Sequence, residues 1–241
     1  MQILPMIGFM LGVKPMARNM ERNLPAVLNQ LKKHNYEINV VYDIGCNDGG
    51  WKRDHQKLFD GAHFYMFEAT PSIKLKTRGN QTCFKAVLSD VDDREVAYWL
   101  ADNDREHTGN SYYKEVSGGF SKGKNVKLKT KKLDTLVAEN NLPTPQFVKM
   151  DTQGSELDIL TGGEIIKQAY GVICEVSILP YNDGAPLFSD YVKKFYDFGF
   201  LPTGVHHINM RRDVINQMDI IFMRYDICEE INKFGDRYRV F

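Results

Sequence analysis

The chain has 241 residues, a length that fits one α/β domain. Hydrophobic residues make up 43% of it and charged residues 26%, which is close to soluble globular proteins and argues against a disordered chain. Because 31 basic residues balance 31 acidic residues, no net charge favours nucleic acid or an anionic membrane surface. The cysteines form no C-x-x-C pair, so we expect reduced thiols and a cytoplasmic location.

The N-terminal residues 1–13 are apolar and uncharged, as a targeting signal would be. No basic residue precedes them and a proline and two glycines interrupt them, so we expect no cleaved signal peptide. No run elsewhere reaches the roughly 18 apolar residues of a membrane-spanning helix. We predict that residues 1–36 form an arm and helix that pack on the core or on a second subunit, and that residues 37–241 form a single domain.

An amphipathic helix is predicted within this N-terminal region. Asn23 can cap it, and leucine or valine recurs at spacings of three and four within residues 24–31. Because an apolar face of this kind is buried in a folded protein, we expect the helix to pack beside the first strand of the domain.

Short apolar runs alternate with helical patterns in the following part of the chain. Runs of this length predict buried parallel strands, and their alternation with helices indicates an α/β fold. The strands are predicted at residues 38–44, 63–68, 82–88, 147–151 and 171–176, and crossover helices at residues 51–59 and 71–78. Right-handed crossovers then give an open, doubly wound sheet.

Two segments interrupt the alternation, at residues 95–100 and 126–130, and we predict an additional strand at each. The polar stretch at residues 102–123 is rich in glycine, serine, asparagine and aspartate, which predicts a mobile loop or lid. Pro186 begins a predicted helix with aromatic residues at spacings of three and four. Residues 218–224 predict a late apolar strand.

Glycines and acidic residues follow the ends of the first two predicted strands, where ligands bind in doubly wound sheets. Gly45, Gly49 and Gly50 allow the backbone to turn sharply and to approach a ligand closely. Glu68 lies about 25 residues after Asp43, close to the roughly 20-residue offset of a carboxylate that binds ribose hydroxyls. This pattern predicts a nucleoside site.

The glycine spacing distinguishes among nucleoside ligands. A dinucleotide site requires G-x-G-x-x-G, whereas this chain has Gly45-x-x-x-Gly49-Gly50 preceded by Asp43. An acidic residue there repels a pyrophosphate but suits a ligand with an ammonium group. S-adenosylmethionine carries an ammonium and a sulfonium group, so the sequence favours it as the cofactor. A turn in which Asp43 acts only as a cap is the alternative explanation.

Several stretches of the sequence resemble the FkbM family of methyltransferases. They are residues 41–50, 64–71, 86–90, 132–136 and 147–160. The last stretch is the most specific, because F-V-K-M-D-T-Q-G-S-E-L-D-I-L closely resembles the family's signature of lysine, aspartate, glycine and glutamate. With Glu175 after the next strand, the resemblance extends over roughly residues 40–177, most of a single domain.

The resemblance implies a Rossmann-like class I methyltransferase fold, with a mostly parallel seven-stranded sheet, helices on both faces and an antiparallel last strand pair. It also implies a methyl acceptor that is usually a hydroxyl on a sugar or natural product. Asp43, Gly45 and Asn47 would hold the methionine portion, Glu68 the ribose, and Ser89 or Asp90 the adenine edge. The full implied set of cofactor-binding residues is Asp43, Gly45, Cys46, Asn47, Glu68, Ala69, Ser89, Asp90 and Asp151.

The segment after the fourth buried strand combines a strand end with the predicted start of a helix. Asp151 ends the strand and is therefore expected to face the crevice, while Ser155 and Asp158 resemble a capping box. Glu156 has two open interpretations, compensation of the helix dipole or a role in the site. For Lys149 we expect a pairing with a neighbouring carboxylate.

Asp151 is the first candidate to take or orient the proton of an acceptor hydroxyl, and His206 and His207, expected in a loop, are second candidates. The demand on such a base is modest, because methyl transfer to oxygen mainly requires acceptor, carbon and sulfur to be aligned. Asp151, Glu175 and Asp183 are oxygen donors without a recognised ligand spacing, so no metal is predicted.

Three other functions stay open at this level. A nicotinamide- or flavin-dependent oxidoreductase is disfavoured by the missing G-x-G-x-x-G, and a catalytically silent binding module by the intact glycine turn. RNA methylation is disfavoured by the balanced charge, since the lysines of residues 122–132 fit a solvated edge strand. The expected partner is therefore a small-molecule or saccharide acceptor, with no nucleic acid and possible self-association through the N-terminal arm.

Overall fold

A computed structural model describes residues 23–102, 108–116 and 123–232 of the chain. Residues 1–22, which make up most of the predicted N-terminal arm, lie outside this part. So do residues 103–107 and 117–122 of the predicted loop. Self-association through the arm therefore stays a prediction.

A seven-stranded sheet forms the centre of the fold, in the order β3-β2-β1-β7-β8-β10-β9. Its strands are β1 (Val40–Ile44), β2 (His63–Glu68), β3 (Gln81–Lys85), β7 (Phe147–Met150), β8 (Gly171–Ser177), β9 (Phe200–Arg211) and β10 (Val214–Arg224). The first five in spatial order run parallel, and β10 runs antiparallel to both of its neighbours. The predicted mostly parallel sheet with an antiparallel last pair is confirmed.

A second, three-stranded sheet lies between β3 and β7 in the chain. It comprises β4 (Val87–Ser89), β5 (Glu95–Trp99) and β6 (Asn125–Lys132), with β6 in the middle. The single strand predicted at residues 82–88 is therefore wrong, because the chain changes sheets at Ala86. Lys85 is the one charged residue in this run, and a single lysine does not indicate a change of strand partner.

In the described part of the chain, six α-helices connect or flank the strands. They are α1 (Leu24–Lys33), α2 (Gly50–His55), α3 (Leu133–Asn140), α4 (Glu156–Thr161), α5 (Phe188–Asp197) and α6 (Tyr225–Asn232). The helix predicted at residues 71–78 is wrong, because these residues form turns and extended chain. Lys85 donates from Nζ to the carbonyl oxygens of Thr70 and Ile73, so a side chain satisfies backbone groups there. None of the described helices is long and apolar enough to cross a membrane.

Two apolar clusters lie on opposite faces of the central sheet. Successive strand residues point to opposite faces, so Val41 and Tyr42 belong to different clusters. Tyr42 belongs to the cluster that α3, α4 and α5 cover, and Val41 to the one that α1 and α6 cover. Helices on both faces are thus confirmed. α1 shares a cluster with Val41 of β1, but its backbone packs against β9, so the predicted position beside the first strand is not confirmed.

Phe195 of α5 stacks on Phe222 of β10, and this contact allows the contribution of α5 to stability to be measured. The two rings lie 3.8 Å apart between centroids and Phe195 is fully buried, whereas Phe188 on the same helix is 42% exposed. We expect Phe195→Ala to lower the free energy of unfolding by about 3–5 kcal/mol, because it leaves a cavity. Phe188→Ala, the matched control, should cost less than about 1 kcal/mol in urea denaturation. Equal losses in the two variants would contradict this packing.

Candidate active site

An open cavity lies at the C-terminal ends of β1, β2 and β7. The volume that the centre of a water molecule can occupy within it is about 90 Å³. Gly45, Asn47, Glu68, Ala69 and Asp151, all predicted from the sequence, line it. Because this edge of an open parallel sheet is where ligands bind, the fold and the cavity agree on the location of the site.

The turn after β1 is fixed by close backbone approaches. Gly45 and Cys46 donate from their amides to the carbonyl oxygen of Phe67, at 2.9 and 3.1 Å. Gly45 has a φ of +71°, and a Cβ there would lie 1.8 Å from the carbonyl oxygen of Asp151. Only glycine fits this position, so the ends of β1 and β7 meet directly beside the cavity.

The carboxylate of Glu68 organises the neighbouring backbone. It accepts hydrogen bonds from the amides of Asn47 and Thr70, each at 2.7 Å, and the residue is 6% exposed. A carboxylate offers about four lone-pair positions, so these two bonds leave Glu68 able to accept from a ligand.

Lys149 and Asp43 form a buried charge pair beneath the turn. Lys149 Nζ lies 3.5 Å from Asp43 Oδ1 and 3.4 Å from Asp151 Oδ2, and it donates to the carbonyl oxygen of Gly45 at 2.8 Å. Burial opposes the charge of Lys149, but Asp151 and Asp43 outweigh burial and raise the pKa of this ammonium. The expected pairing of Lys149 with a carboxylate is confirmed.

Asp43 does not reach the cavity surface. It is fully buried and, within the described residues, its carboxylate makes no hydrogen bond. Burial raises the pKa of Asp43, and the charge of Lys149 opposes that rise. Cys46 is also buried, so the predicted cofactor contacts of both side chains stay predictions.

Asp151 begins a row of acidic side chains across three strands. Gln153 Nε2 bridges two of them, donating to Asp151 Oδ1 at 2.8 Å and to Glu175 Oε1 at 2.6 Å. Glu175 also accepts from Gln217, and it pairs across the sheet with Asp219. Burial first, and then the charge of Asp151, raises the pKa of Glu175 well above its usual range and that of Asp219 to about 6.

The predicted capping box at the start of α4 is wrong. Ser155 is the N-cap residue but its side chain makes no capping bond. The carboxylate of Glu156 instead accepts from the amides of Thr152 and Gly154, at 2.6 and 3.1 Å, and from Tyr191 Oη at 2.6 Å. Glu156 therefore fixes the loop that leaves β7, and burial raises its pKa.

The residues predicted for the adenine edge lie just behind the cavity wall. Ser89 is fully buried and accepts from Arg94 at 2.7 Å, while Asp90 pairs with Arg94 at 2.8 Å. Leu88 and Tyr112 line the cavity in their place. The sequence pattern did not identify Tyr112, because it lies within the polar stretch whose spacing predicts only a loop.

The two candidate histidines lie within β9, not in a loop as expected. Neither lines the cavity. His206 Nε2 lies 3.2 Å from Nε2 of His55 on α2, a residue that the sequence did not identify. Burial, and then His55 and His207, lower the pKa of His206. His207 pairs across the sheet with Asp219, so the histidines lie beside the acidic row but not on the cavity wall.

Metal ligation was expected to be absent because no ligand spacing was recognised. Within residues 23–102, 108–116 and 123–232, no group of three His, Cys, Asp or Glu side chains is arranged to hold a metal ion. Asp183, one of the three considered donors, is exposed in the turn after β8.

Comparison with known proteins gives a family match over the site. A family model described as the methyltransferase FkbM domain matches residues 43–202. The 2-O-methyltransferase NoeI of Sinorhizobium fredii is 24% identical over 183 residues, which cover 65% of this chain and 73% of that protein.

A comparison with solved structures gives methyltransferases at low sequence identity and with low TM-scores. Precorrin-6y C5,15-methyltransferase from Geobacter metallireducens is 12% identical with a TM-score of 0.41, covering 86% of this chain and 91% of that one. Magnesium protoporphyrin IX methyltransferase from Synechocystis, solved with bound SAM, is 12% identical with a TM-score of 0.41, covering 83% and 76%.

Asp219 gives the acidic row a measurable pH dependence. Its pKa rises from 3.8 in the unfolded chain to about 6 in the folded protein, so the folded protein binds the carboxyl proton of Asp219 more tightly. The free energy of unfolding therefore decreases as the pH rises from about 4 to about 6. Asp219→Asn cannot ionise. We expect this variant to match the wild type below about pH 4 and to exceed its unfolding free energy by about 1–3 kcal/mol above pH 6.

Denaturant titrations at several pH values measure this difference. Asp197→Asn, at the exposed end of α5, is the control and should show no such pH-dependent gain. A difference between Asp219→Asn and the wild type that does not change with pH would contradict the assignment.

Proposed function

This chain belongs to the FkbM methyltransferase family and is a methyltransferase, and we propose that it transfers the methyl group of S-adenosylmethionine to a hydroxyl of a saccharide or natural-product acceptor. The observation that carries the proposal is the cavity between the glycine turn, Glu68 and Asp151. It joins a backbone turn that admits a close ligand, a carboxylate suited to ribose, and an acidic residue at its edge.

The residues present fit S-adenosylmethionine. Gly45 and Asn47 border the end of the cavity where the methionine portion would lie, and Asp151 adds negative charge there. Glu68 retains lone pairs for the ribose hydroxyls. Phe67 and Leu88 give the remaining wall an apolar surface for the adenine. Asp43 lies beneath the turn, where it pairs with Lys149.

Two observations support a hydroxyl oxygen as the methyl acceptor. The relative NoeI is named as a 2-O-methyltransferase. In this chain, Asp151 is 36% exposed at the cavity, while its carboxylate is held by Lys149 and Gln153. A fixed carboxylate of this kind can accept a hydrogen bond from an acceptor hydroxyl and orient its oxygen.

The reaction places few demands on the protein. Bound S-adenosylmethionine supplies a carbon already activated for displacement. The chain must align the acceptor oxygen with that carbon, exclude water, and hold or accept the hydroxyl proton. We assign the hydroxyl proton to the carboxylate of Asp151, whose Oδ1 accepts from Gln153 and whose Oδ2 lies 3.4 Å from Lys149 Nζ.

Ligand binding tests the proposed cofactor directly. In isothermal titration we expect the wild type to bind S-adenosylhomocysteine and not NAD. Glu68→Gln should weaken that binding by about 10- to 100-fold, because charge-assisted hydrogen bonds to the ribose are lost. Glu164→Gln, an exposed change after α4, is the matched control and should bind as the wild type does. Binding of NAD alone would end the proposal.

Asp151→Asn tests the assigned base. The amide keeps the shape of the side chain, so we expect S-adenosylhomocysteine affinity to change less than about threefold. Turnover should fall by about 100-fold or more, the usual contribution of a positioned base. The measurement is methyl transfer from labelled donor to a panel of glycans and hydroxylated natural products, with Asp183→Asn as control.

Two results of that measurement would count against the assignments. Full activity of Asp151→Asn would remove Asp151 from the mechanism. A wild type that binds S-adenosylhomocysteine but methylates no acceptor in the panel would favour the silent binding module over the enzyme.

A further inference from the structure

Two adjacent tyrosines beside the cavity share one carboxylate oxygen. Tyr112 Oη and Tyr113 Oη donate to Oδ2 of Asp158 on α4, at 2.7 and 2.9 Å. Their rings lie 5.0 Å apart between centroids. Burial, and then the charge of Asp158, raise the pKa of both phenols, so both keep the proton that they donate. We call Tyr112, Tyr113 and Asp158 the tyrosine clamp.

The clamp holds one side of the segment formed by residues 108–116. The other side is bonded to the loop after β8. There the side-chain amide of Asn182 donates to the carbonyl oxygen of Tyr113, and the backbone amide of Asp183 donates to the carbonyl oxygen of Lys114. The Asp158 side chain is therefore the link between this segment and the helix that follows β7.

Tyr112 is the member of the clamp that lines the cavity. Its neighbours on the wall are Phe67, Leu88 and Ile159, which are apolar, while Glu68 borders the same cavity. A flat aromatic base packs well against such a surface, and bases stack favourably on aromatic side chains. Tyr113 does not line the cavity and packs over Gly154, where an added Cβ would lie 3.4 Å from the tyrosine.

We propose that Tyr112 is a contact residue for the adenine of the methyl donor, and that Asp158 is a positioning residue that holds Tyr112 there and slows release of the bound nucleoside. This inference rests on the proposed function, since it requires an adenosine-containing donor. Asn110 and Ser111 bond the start of the segment to Ala101 and Trp99. The two phenol bonds to Asp158 add to these bonds, and they oppose movement of Tyr112 away from a bound nucleoside.

The test measures the dissociation rate of S-adenosylhomocysteine from the full chain by stopped flow. Asp158→Ala removes both phenol bonds, and we expect dissociation about tenfold faster, equivalent to about 1.4 kcal/mol. Tyr113→Phe removes one bond without altering the cavity wall, and should give about a threefold increase. Asp197→Ala, an exposed acidic residue on α5, is the control and should leave the rate unchanged.

A conservative variant separates positioning from a general structural role. Both phenols donate to the same oxygen of Asp158, so the single amide oxygen of Asp158→Asn can accept both bonds. We expect this variant to dissociate within about threefold of the wild type, and to restore most of what Asp158→Ala loses. If Asp158→Ala does not fold, the dissociation rates of Tyr113→Phe and Asp158→Asn still test the proposal.

The outcomes distinguish this inference from the proposed function. A wild type that binds S-adenosylhomocysteine, together with unchanged dissociation in Asp158→Ala and Tyr113→Phe, would overturn the clamp and leave the proposed function standing. Dissociation from Asp158→Asn as fast as from Asp158→Ala would also count against it. A wild type without affinity for the nucleoside would remove the proposed function and this inference together.

Discussion

The ammonium group of Lys149 lies between the carboxylates of Asp43 and Asp151 and donates to the carbonyl oxygen of Gly45. Two acidic residues at the ends of neighbouring strands would repel each other in a buried setting, and removal of one partner from such a group is strongly destabilising. Lys149 lies on β7. Its hydrogen bond to Gly45 and its ion pair with Asp43 therefore link β7 to the turn after β1 and to β1 itself. The wall of the cavity therefore depends on one buried charge.

The acidic residues around Lys149 differ in their exposure to the cavity. Lys149 and Asp43 are buried, and the pKa values of Glu175 and Asp219 are raised. Asp151 is the carboxylate of this group that both lines the cavity and pairs with the lysine. A cationic donor and a neutral hydroxyl acceptor suit a site with this balance, whereas a phosphorylated ligand would face net negative charge.

The sequence predicted the parts of the fold whose patterns are local. Strands β1, β2, β7 and β8 are buried runs with polar residues at their ends, and strand ends gather at one edge, so Glu68 and Asp151 were predicted together. The sequence did not predict contacts that only the tertiary fold creates. His55 and His206 are 151 residues apart, and Tyr112 lies in a stretch whose composition resembles that of any polar loop.

Two acidic residues of the six-residue helix α4 connect α5 with two parts of the cavity wall. A helix of this length is not stable alone, so its position depends on tertiary contacts. Glu156 supplies the inward contacts, to the loop after β7 and to Tyr191 of α5. Asp158, two residues later, contacts Tyr112 and Tyr113. Any shift of α5 against the sheet is therefore transmitted through Glu156 to the loop that carries Asp151, and through Asp158 to the cavity wall.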